Sequence, residues 1–132
     1  MAGGRNPMML DCERQGCFNV KKRLKLERFA DCFPGKIGMG DVDGIVEING
    51  HFLVLEWKAP GVALSTGQRI MYERMTRDDR FTVVFVEGDA EHMSVERTAT
   101  IRGGRLGRWR DSSFSQLHAG IKQWCDVSMV KP

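Results

Sequence analysis

The chain has 132 residues, a formal net charge of +3 and 42% hydrophobic residues, which is enough for one domain with its own core. No apolar run approaches the roughly 20 residues that cross a bilayer, and residues 1–7 lack the apolar segment of a signal peptide. The composition therefore argues against a membrane protein. We expect a single cytoplasmic domain that spans residues 1–132.

Four cysteines are present in the chain: Cys12, Cys17, Cys32 and Cys125. In a cytoplasmic protein they are expected to be thiols rather than disulfides. The first three could begin a zinc site, but their spacing is not paired and no fourth ligand is evident. The sequence therefore argues against structural zinc.

The first predicted helix covers residues 20–32 and follows an irregular segment at residues 1–18. Asn19 can cap this helix, and a Pro-Gly pair follows it. Its apolar residues recur at the spacing of a buried α-helical stripe: Leu26, Phe29, Ala30 and Phe33.

Asn49-Gly50 joins two largely apolar runs, residues 40–48 and residues 51–58. This dipeptide predicts a two-residue type I′ hairpin turn, because both of its residues must adopt positive φ. The turn pairs the two residues that flank it, and it thereby fixes the register of the whole hairpin.

The predicted register brings charged residues together at the open end of the hairpin. It places Asp43 opposite Glu56 and Asp41 opposite Lys58. Side chains alternate between the two faces of a strand, so Glu56 and Lys58 share the face of Asp43. Asp41 either forms an ion pair with Lys58 or serves as a metal ligand, and we favour the ion pair.

The opposition of Asp43 and Glu56 predicts a bound cation. Directly opposed residues have Cβ atoms about 5 Å apart, and like charges so placed repel each other. A divalent cation between them removes the repulsion, and Mg²⁺ is often held by one or two carboxylates together with water and phosphate oxygens. With Lys58 nearby to orient a water molecule, this arrangement suits metal-assisted phosphodiester hydrolysis.

Asp43, a short hairpin and then a Glu-x-Lys pattern at Glu56 and Lys58 resemble the PD-(D/E)XK nuclease superfamily. Val42 stands where the superfamily name has proline, at a position that varies among members. The resemblance covers residues 20–88 and is to a small stand-alone nuclease of the phage or virus type. Such a protein would act in the host cytoplasm.

The helix after the hairpin carries Gln68 and Tyr72, similar to the Gln-x-x-x-Tyr element of RecB-type nucleases. The resemblance implies that Gln68 steadies Lys58 or a phosphate, and we count Tyr72 among the nucleic-acid contacts. Ser65 and Gln68 also match a helix capping box, which is the alternative role of Gln68.

The resemblance further implies an α/β fold (α+β mixed) with a restriction-endonuclease-like core, in which helices flank a mixed central sheet. Asp43 and Glu56 would ligate the metal, and the backbone carbonyl of Trp57 would complete the site. Glu27 would be a further acid near the metal, although it also fits an exposed helical glutamate paired with a basic residue. Residues 81–87 are continuously apolar and predict the buried central strand.

The C-terminal part, residues 91–132, is predicted to form a second hairpin that closes at Gly103-Gly104, followed by a helix capped by Ser112 or Ser113. Five arginines fall in this hairpin region, with no acidic residue among them: Arg97, Arg102, Arg105, Arg108 and Arg110. Such a stripe suits a polyanion, although a solvated hairpin surface is the alternative.

We therefore expect a nuclease that hydrolyses DNA with Mg²⁺, for which Mn²⁺ can substitute, through a catalytic core at residues 19–90. One alternative is a catalytically silent nucleic-acid-binding module with the same fold, and another is a nuclease selective for branches or flaps. A protein-interaction domain with a zinc-tied N-terminus is a third. Whether the protein is a homodimer stays open.

Overall fold

The computed structural model of the chain describes residues 24–130. It divides into two compact units, of which the first ends at Asp41 and the second begins at Val42. The predicted single domain, with its core at residues 19–90, stays a prediction. The irregular segment 1–18, Cys12 and Cys17 lie outside the described residues.

In the first unit a 3₁₀ helix covers Leu26–Cys32. The prediction of a buried α-helical stripe here is wrong, because none of the seven residues is buried and Phe29 is 42% exposed. A spacing of 3.6 residues aligns on one face of an α-helix, whereas a 3₁₀ helix has three residues per turn and spreads the same residues around its axis. The earlier part of the predicted helix lies outside the described residues.

The second unit begins with the predicted hairpin, which consists of strands β1 (Gly44–Ile48) and β2 (His51–Lys58). The φ of Asn49 is 54° and that of Gly50 is 82°, so the turn has two positive φ angles. The strands pair antiparallel, and the predicted register is confirmed from the turn to Gly44.

A helix then connects β2 to the central strand. Helix α1 (Thr66–Met75) begins after Ser65, whose Oγ accepts a hydrogen bond from the backbone N–H of Gln68 at 3.1 Å. Strand β3 (Phe81–Asp89) pairs parallel with β2. The prediction of a buried central strand is confirmed, since residues of β3 are buried on both faces of the sheet.

The remaining elements complete the sheet and add a second helix: β4 (Ser94–Arg102), β5 (Arg105–Leu106), β6 (Arg110–Asp111) and α2 (Phe114–Val130). Gly103 and Gly104 have positive φ, as the predicted second hairpin requires. Ser113 caps α2, with its Oγ accepting from the backbone N–H of Gln116 at 3.1 Å.

The strands of the described residues form one six-stranded mixed sheet. Their order is β1-β2-β3-β4-β5, and β6 also pairs with β4. Only the pair β2–β3 is parallel within this sheet. The predicted mixed α/β fold with helices is confirmed. Among residues 24–130, no helix has the length and apolar character that crossing a membrane requires.

The two faces of the sheet pack differently. Helix α1 covers one face, called here the α1 face, where the buried core lies: Val54, Tyr72, Val83, Phe85 and Ile101. Helix α2 packs against β1 and β4 on the opposite α2 face. A cavity of about 280 Å³ remains between α2 and the sheet. The α1 face is therefore the closely packed one.

Gly88 is the point of closest approach between β3 and β4. The register of the two strands shifts between Glu87 and Gly88, and a Cβ at Gly88 would overlap the carbonyl oxygen of Ser94. The carbonyl of Gly88 also accepts a hydrogen bond from the indole Nε1 of Trp57 at 2.9 Å. Glycine at this position therefore lets β3 lie close against β4, while its carbonyl also binds Trp57 of β2.

Gly88→Ala is expected to lower the free energy of unfolding by about 3 kcal/mol, because the added methyl group forces backbone apart in a packed sheet. The control is Gly120→Ala in α2, where nothing lies within 4 Å of the added Cβ. It is expected to raise stability by about 0.5–1 kcal/mol, the usual helical preference for alanine. Urea denaturation measures both values, and an unchanged stability of Gly88→Ala would contradict the close contact.

Candidate metal centre

Asp43 and Glu56 meet at the open end of the hairpin, as the register predicts. Asp43 lies immediately before β1, and its Oδ2 accepts a hydrogen bond from the backbone N–H of Trp57 at 2.7 Å. Its side chain is thereby anchored to the residue that follows Glu56. The two carboxyl groups lie close enough to interact electrostatically. The hairpin therefore brings together the two acids that the sequence pattern singles out.

Glu56 is a buried carboxyl group on the α1 face, with 3% of its surface exposed. The phenol O–H of Tyr72 donates a hydrogen bond to its Oε1. Burial raises the pKa of Glu56, and the carboxylate of Asp43 adds to the rise, while the Tyr72 hydrogen bond and the charge of Lys58 oppose it. The net pKa is raised, so the ionised form of Glu56 is disfavoured in the folded protein.

The prediction that Tyr72 contacts nucleic acid is wrong, because its side chain is fully buried, with 0% exposed. The ring packs edge-on against Phe85, with centroids 5.8 Å apart and an interplanar angle of 72°. Its hydroxyl is directed at Glu56. Tyr72 therefore supports the buried carboxyl group from α1 and has no surface for a phosphate or base.

Lys58 lies two residues after Glu56 on the same face, and its charge acts on Glu56. Its neighbour in the parallel register is Glu87. The carboxylate of Glu87 is occupied by Arg97, whose Nε and Nη2 donate to it at 3.1 and 2.8 Å. Within the second unit, among its described residues, Lys58 has no ion pair. Its ammonium is therefore available beside the two acids.

Gln68 lies in the first turn of α1, one turn before Tyr72 on the same face of the helix. Because α1 runs back along the sheet between two parallel strands, this turn lies near the end of β2 that carries Lys58. The side-chain Oε1 of Gln68 is buried and has no hydrogen-bond partner among the described residues. The capping box is therefore half formed, since Ser65 caps the helix but Gln68 does not reciprocate.

Trp57 is held from two sides, through its backbone N–H by Asp43 and through its indole by Gly88. These bonds fix the peptide whose carbonyl was assigned to the metal, and that role stays a prediction. Glu27 and Asp41 belong to the first unit and are exposed. Their assigned roles also stay predictions.

The prediction of one arginine stripe is wrong, because residues opposed across a sheet share a face and these arginines are divided between two. Arg97 pairs with Glu87 on the α1 face, and its guanidinium lies 5.1 Å from the centre of the Trp109 ring. Arg102 lies opposite Arg105 on the α2 face. The signal was available in the sequence, since Arg97 and Arg102 are an odd number of residues apart on one predicted strand and side chains alternate between its faces.

A second group of potential ligands, which the sequence reasoning passed over, lies at the end of β3: Asp89, Glu91 and His92. All three are exposed, and the Nδ1 of His92 is 2.6 Å from the Oδ2 of Asp89. Their close spacing along the chain was the available signal. The carboxylate of Asp89 is hydrogen-bonded within this turn, to the backbone N–H of Glu91 and to His92. We assign the turn no role.

In metal-free protein Glu56 is expected to contribute a loss of stability as the pH rises above about 4.3, the usual Glu pKa, towards its raised pKa. In that range the folded protein binds the Glu56 proton more tightly than the unfolded chain does, so deprotonation disfavours the fold. Glu56→Gln removes this titration and keeps an oxygen that can accept from Tyr72. Thermal unfolding in EDTA across this range should therefore show a smaller decline for Glu56→Gln.

The control for this comparison is Glu96→Gln, which neutralises an exposed acid on β4. It should decline with pH as the parent does. Identical pH profiles for Glu56→Gln and the parent would show that Glu56 ionises without cost in the fold.

Comparisons of the chain with protein-family models, with curated proteins and with solved structures found no match. The assignment of the centre therefore depends on its own geometry. That geometry consists of the buried acid Glu56, the second acid Asp43 beside it and the ammonium of Lys58 on the same face.

Proposed function

We propose that this protein is a nuclease that hydrolyses phosphodiester bonds in DNA with Mg²⁺, for which Mn²⁺ can substitute. The observation that carries the proposal is the buried carboxyl group of Glu56 beside that of Asp43. Two adjacent carboxylates repel, and burial of one adds a desolvation cost that a cation offsets. The resemblance to the PD-(D/E)XK superfamily names the same two residues, and a mixed sheet with helices is compatible with it.

The donors at this centre fit a hard divalent cation. Asp43 and Glu56 supply carboxylate oxygens, and Mg²⁺ commonly takes one or two of these with water and phosphate oxygens as its other ligands. Asp43 is exposed, so the pair is open to a phosphate from solvent. A cation held there polarises the phosphate and lowers the pKa of a bound water.

Lys58 and Gln68 complete the proposed site. The ammonium of Lys58 can donate to the attacking water and offset the negative charge that develops on the phosphate. Within the described residues of the second unit this ammonium has no ion pair, which supports the role. Its neighbour in register, Glu87, is paired with Arg97 instead. The unpaired Oε1 of Gln68 is left to accept from a water or from Lys58 when substrate binds.

A catalytically silent nucleic-acid-binding module is the alternative, and the arginines on the α2 face would suit it. Binding of a polyanion does not call for two adjacent carboxylates, since these repel phosphate. The Asp43–Glu56 pair therefore favours the nuclease. Selectivity for branched DNA would be a narrower form of the same proposal.

Asp43→Asn, Glu56→Gln and Lys58→Met are each expected to reduce Mg²⁺-dependent cleavage by roughly 100-fold or more, the usual effect of losing a group that stabilises the transition state. Asparagine and glutamine keep the oxygens that accept from Trp57 and Tyr72, so the variants should fold. Plasmid and oligonucleotide cleavage in Mg²⁺, Mn²⁺ or EDTA provides the measurement.

Exposed residues on α2 provide matched controls for these substitutions. Asp126→Asn removes an acid and Lys122→Met removes an ammonium, and both should cleave like the parent. Full activity of purified Glu56→Gln, or equal losses in the control variants, would refute the assignment.

Gln68→Glu is expected to stay folded and to lose cleavage by roughly tenfold or more, about 1.4 kcal/mol of transition-state stabilisation. Its backbone N–H keeps the Ser65 cap, and a negative charge suits the start of a helix. Near two carboxylates, however, the same charge repels the phosphate. The control is Gln116→Glu, whose backbone N–H is capped by Ser113 in the same way at the start of α2. Equal activity of the two variants would leave Gln68 without a role in cleavage.

A further inference from the structure

Four exposed arginines line one groove where β4 meets β5 and β6: Arg102, Arg105, Arg108 and Arg110. The groove has a volume of about 410 Å³, and Thr100 and Gly107 also line it. Gly107 donates its backbone N–H to the carbonyl of Thr100 at 2.8 Å, which ties the segment after β5 to β4. We call this surface the arginine groove.

The arginine groove concentrates positive charge. Within the described residues none of its four guanidinium groups has an acidic partner. Arg102 and Arg105 lie directly opposite each other in register, where like charges repel. By contrast, Arg80 and Arg97 each hold a carboxylate at 2.8 Å. The groove therefore keeps a repulsive cluster that an anion would relieve.

The strand registers place two arginines of the groove, Arg102 and Arg105, on the opposite face from the candidate metal centre. Glu56 lies opposite Phe85, which lies opposite Ala99, and all three belong to the α1 face. Side chains alternate along β4, so Arg102 and Thr100 belong to the α2 face. Arg102 also lines the cavity beneath α2. The groove is thus not a continuation of the cleavage site.

A substrate needs a minimum length to occupy both places. Strand β4 is two strands from β2, about 10 Å, and passage from one face of the sheet to the other adds a similar distance. A path around the β5 and β6 side of the sheet is therefore about 20 Å or more, which corresponds to about six or more phosphates along one strand of B-form DNA at 3.4 Å each. Shorter substrates at the centre do not reach the groove.

We propose that the arginine groove is a second binding site for a phosphate backbone, separate from the cleavage centre. It holds nucleic acid about six or more nucleotides from the scissile bond, either farther along the cleaved strand or on another arm of a branched molecule. Guanidinium groups bind phosphate through paired hydrogen bonds without reading base sequence. The inference rests on the proposed function for the identity of the polyanion, while the groove itself is independent of the catalytic residues.

The double variant Arg105→Gln/Arg108→Gln tests the proposal, with Arg28→Gln/Arg74→Gln as a control of equal charge outside the groove. DNA binding is measured in EDTA by fluorescence anisotropy over a range of salt, with duplexes of about 40 base pairs and oligonucleotides of about five nucleotides. The groove variant should bind the long duplex more weakly, with a salt slope reduced by about two. Cleavage of the short oligonucleotide in Mg²⁺, which depends on the centre alone, should stay at the parent level.

Linear and branched substrates of the same total length show which part of the nucleic acid the groove binds. A linear single strand that loses affinity in the groove variant indicates the same strand, and a loss confined to a branched molecule indicates another arm. Thermal unfolding checks the fold, and removal of opposed charges should leave stability equal or higher. An unchanged salt slope on every long substrate, or an equal loss of cleavage on the short oligonucleotide, would overturn the proposal. If Asp43→Asn fails to abolish cleavage, the proposed nuclease activity is refuted. The binding result for the groove variant is not affected by that outcome.

Discussion

The carboxyl group of Glu56 is buried on the α1 face of the sheet, and the groups around it compensate its negative charge only in part. An ionised carboxylate out of water is costly unless hydrogen bonds or opposite charges compensate it. Tyr72 supplies one hydrogen bond from α1, and Lys58 supplies a positive charge from the same strand. Burial raises the pKa of Glu56, and the carboxylate of Asp43 adds to the rise. This unresolved repulsion is the physical basis for assigning a cation to the site.

The fold gives this centre a rigid frame. The parallel pairing of β2 with β3 requires a crossover, and α1 provides it while carrying Tyr72 over the sheet. Trp57 joins three parts of the chain, because its backbone holds Asp43 and its indole holds Gly88. Next to this frame, Glu87, the neighbour of Lys58 in register, is paired with Arg97 rather than with Lys58. The charged groups are therefore positioned by strand register rather than by flexible loops.

The sequence predicted those parts of the site that depend on local pairing. Asn49-Gly50 determines its own turn, so the register that opposes Asp43 to Glu56 follows from the order of the residues alone. The sequence could not show that Tyr72 is buried, because helical spacing reveals a shared face but not the depth to which that face packs. The single arginine stripe failed for a different reason, since the alternation of side chains along the predicted strand already divides Arg97 from Arg102 and was not applied. The apolar stripe predicted ahead of the hairpin failed because the segment adopts 3₁₀ geometry.

The most direct test of this account is thermal unfolding of metal-free protein titrated with Mg²⁺ or Mn²⁺ near neutral pH, for the parent, Asp43→Asn and Glu56→Gln. A ligand that binds only the folded state raises stability with its concentration. The account predicts a rise in Tm for the parent that is lost or greatly reduced in both variants. The same rise in Glu56→Gln as in the parent, or no rise in the parent with either ion, would contradict a cation site between these carboxylates.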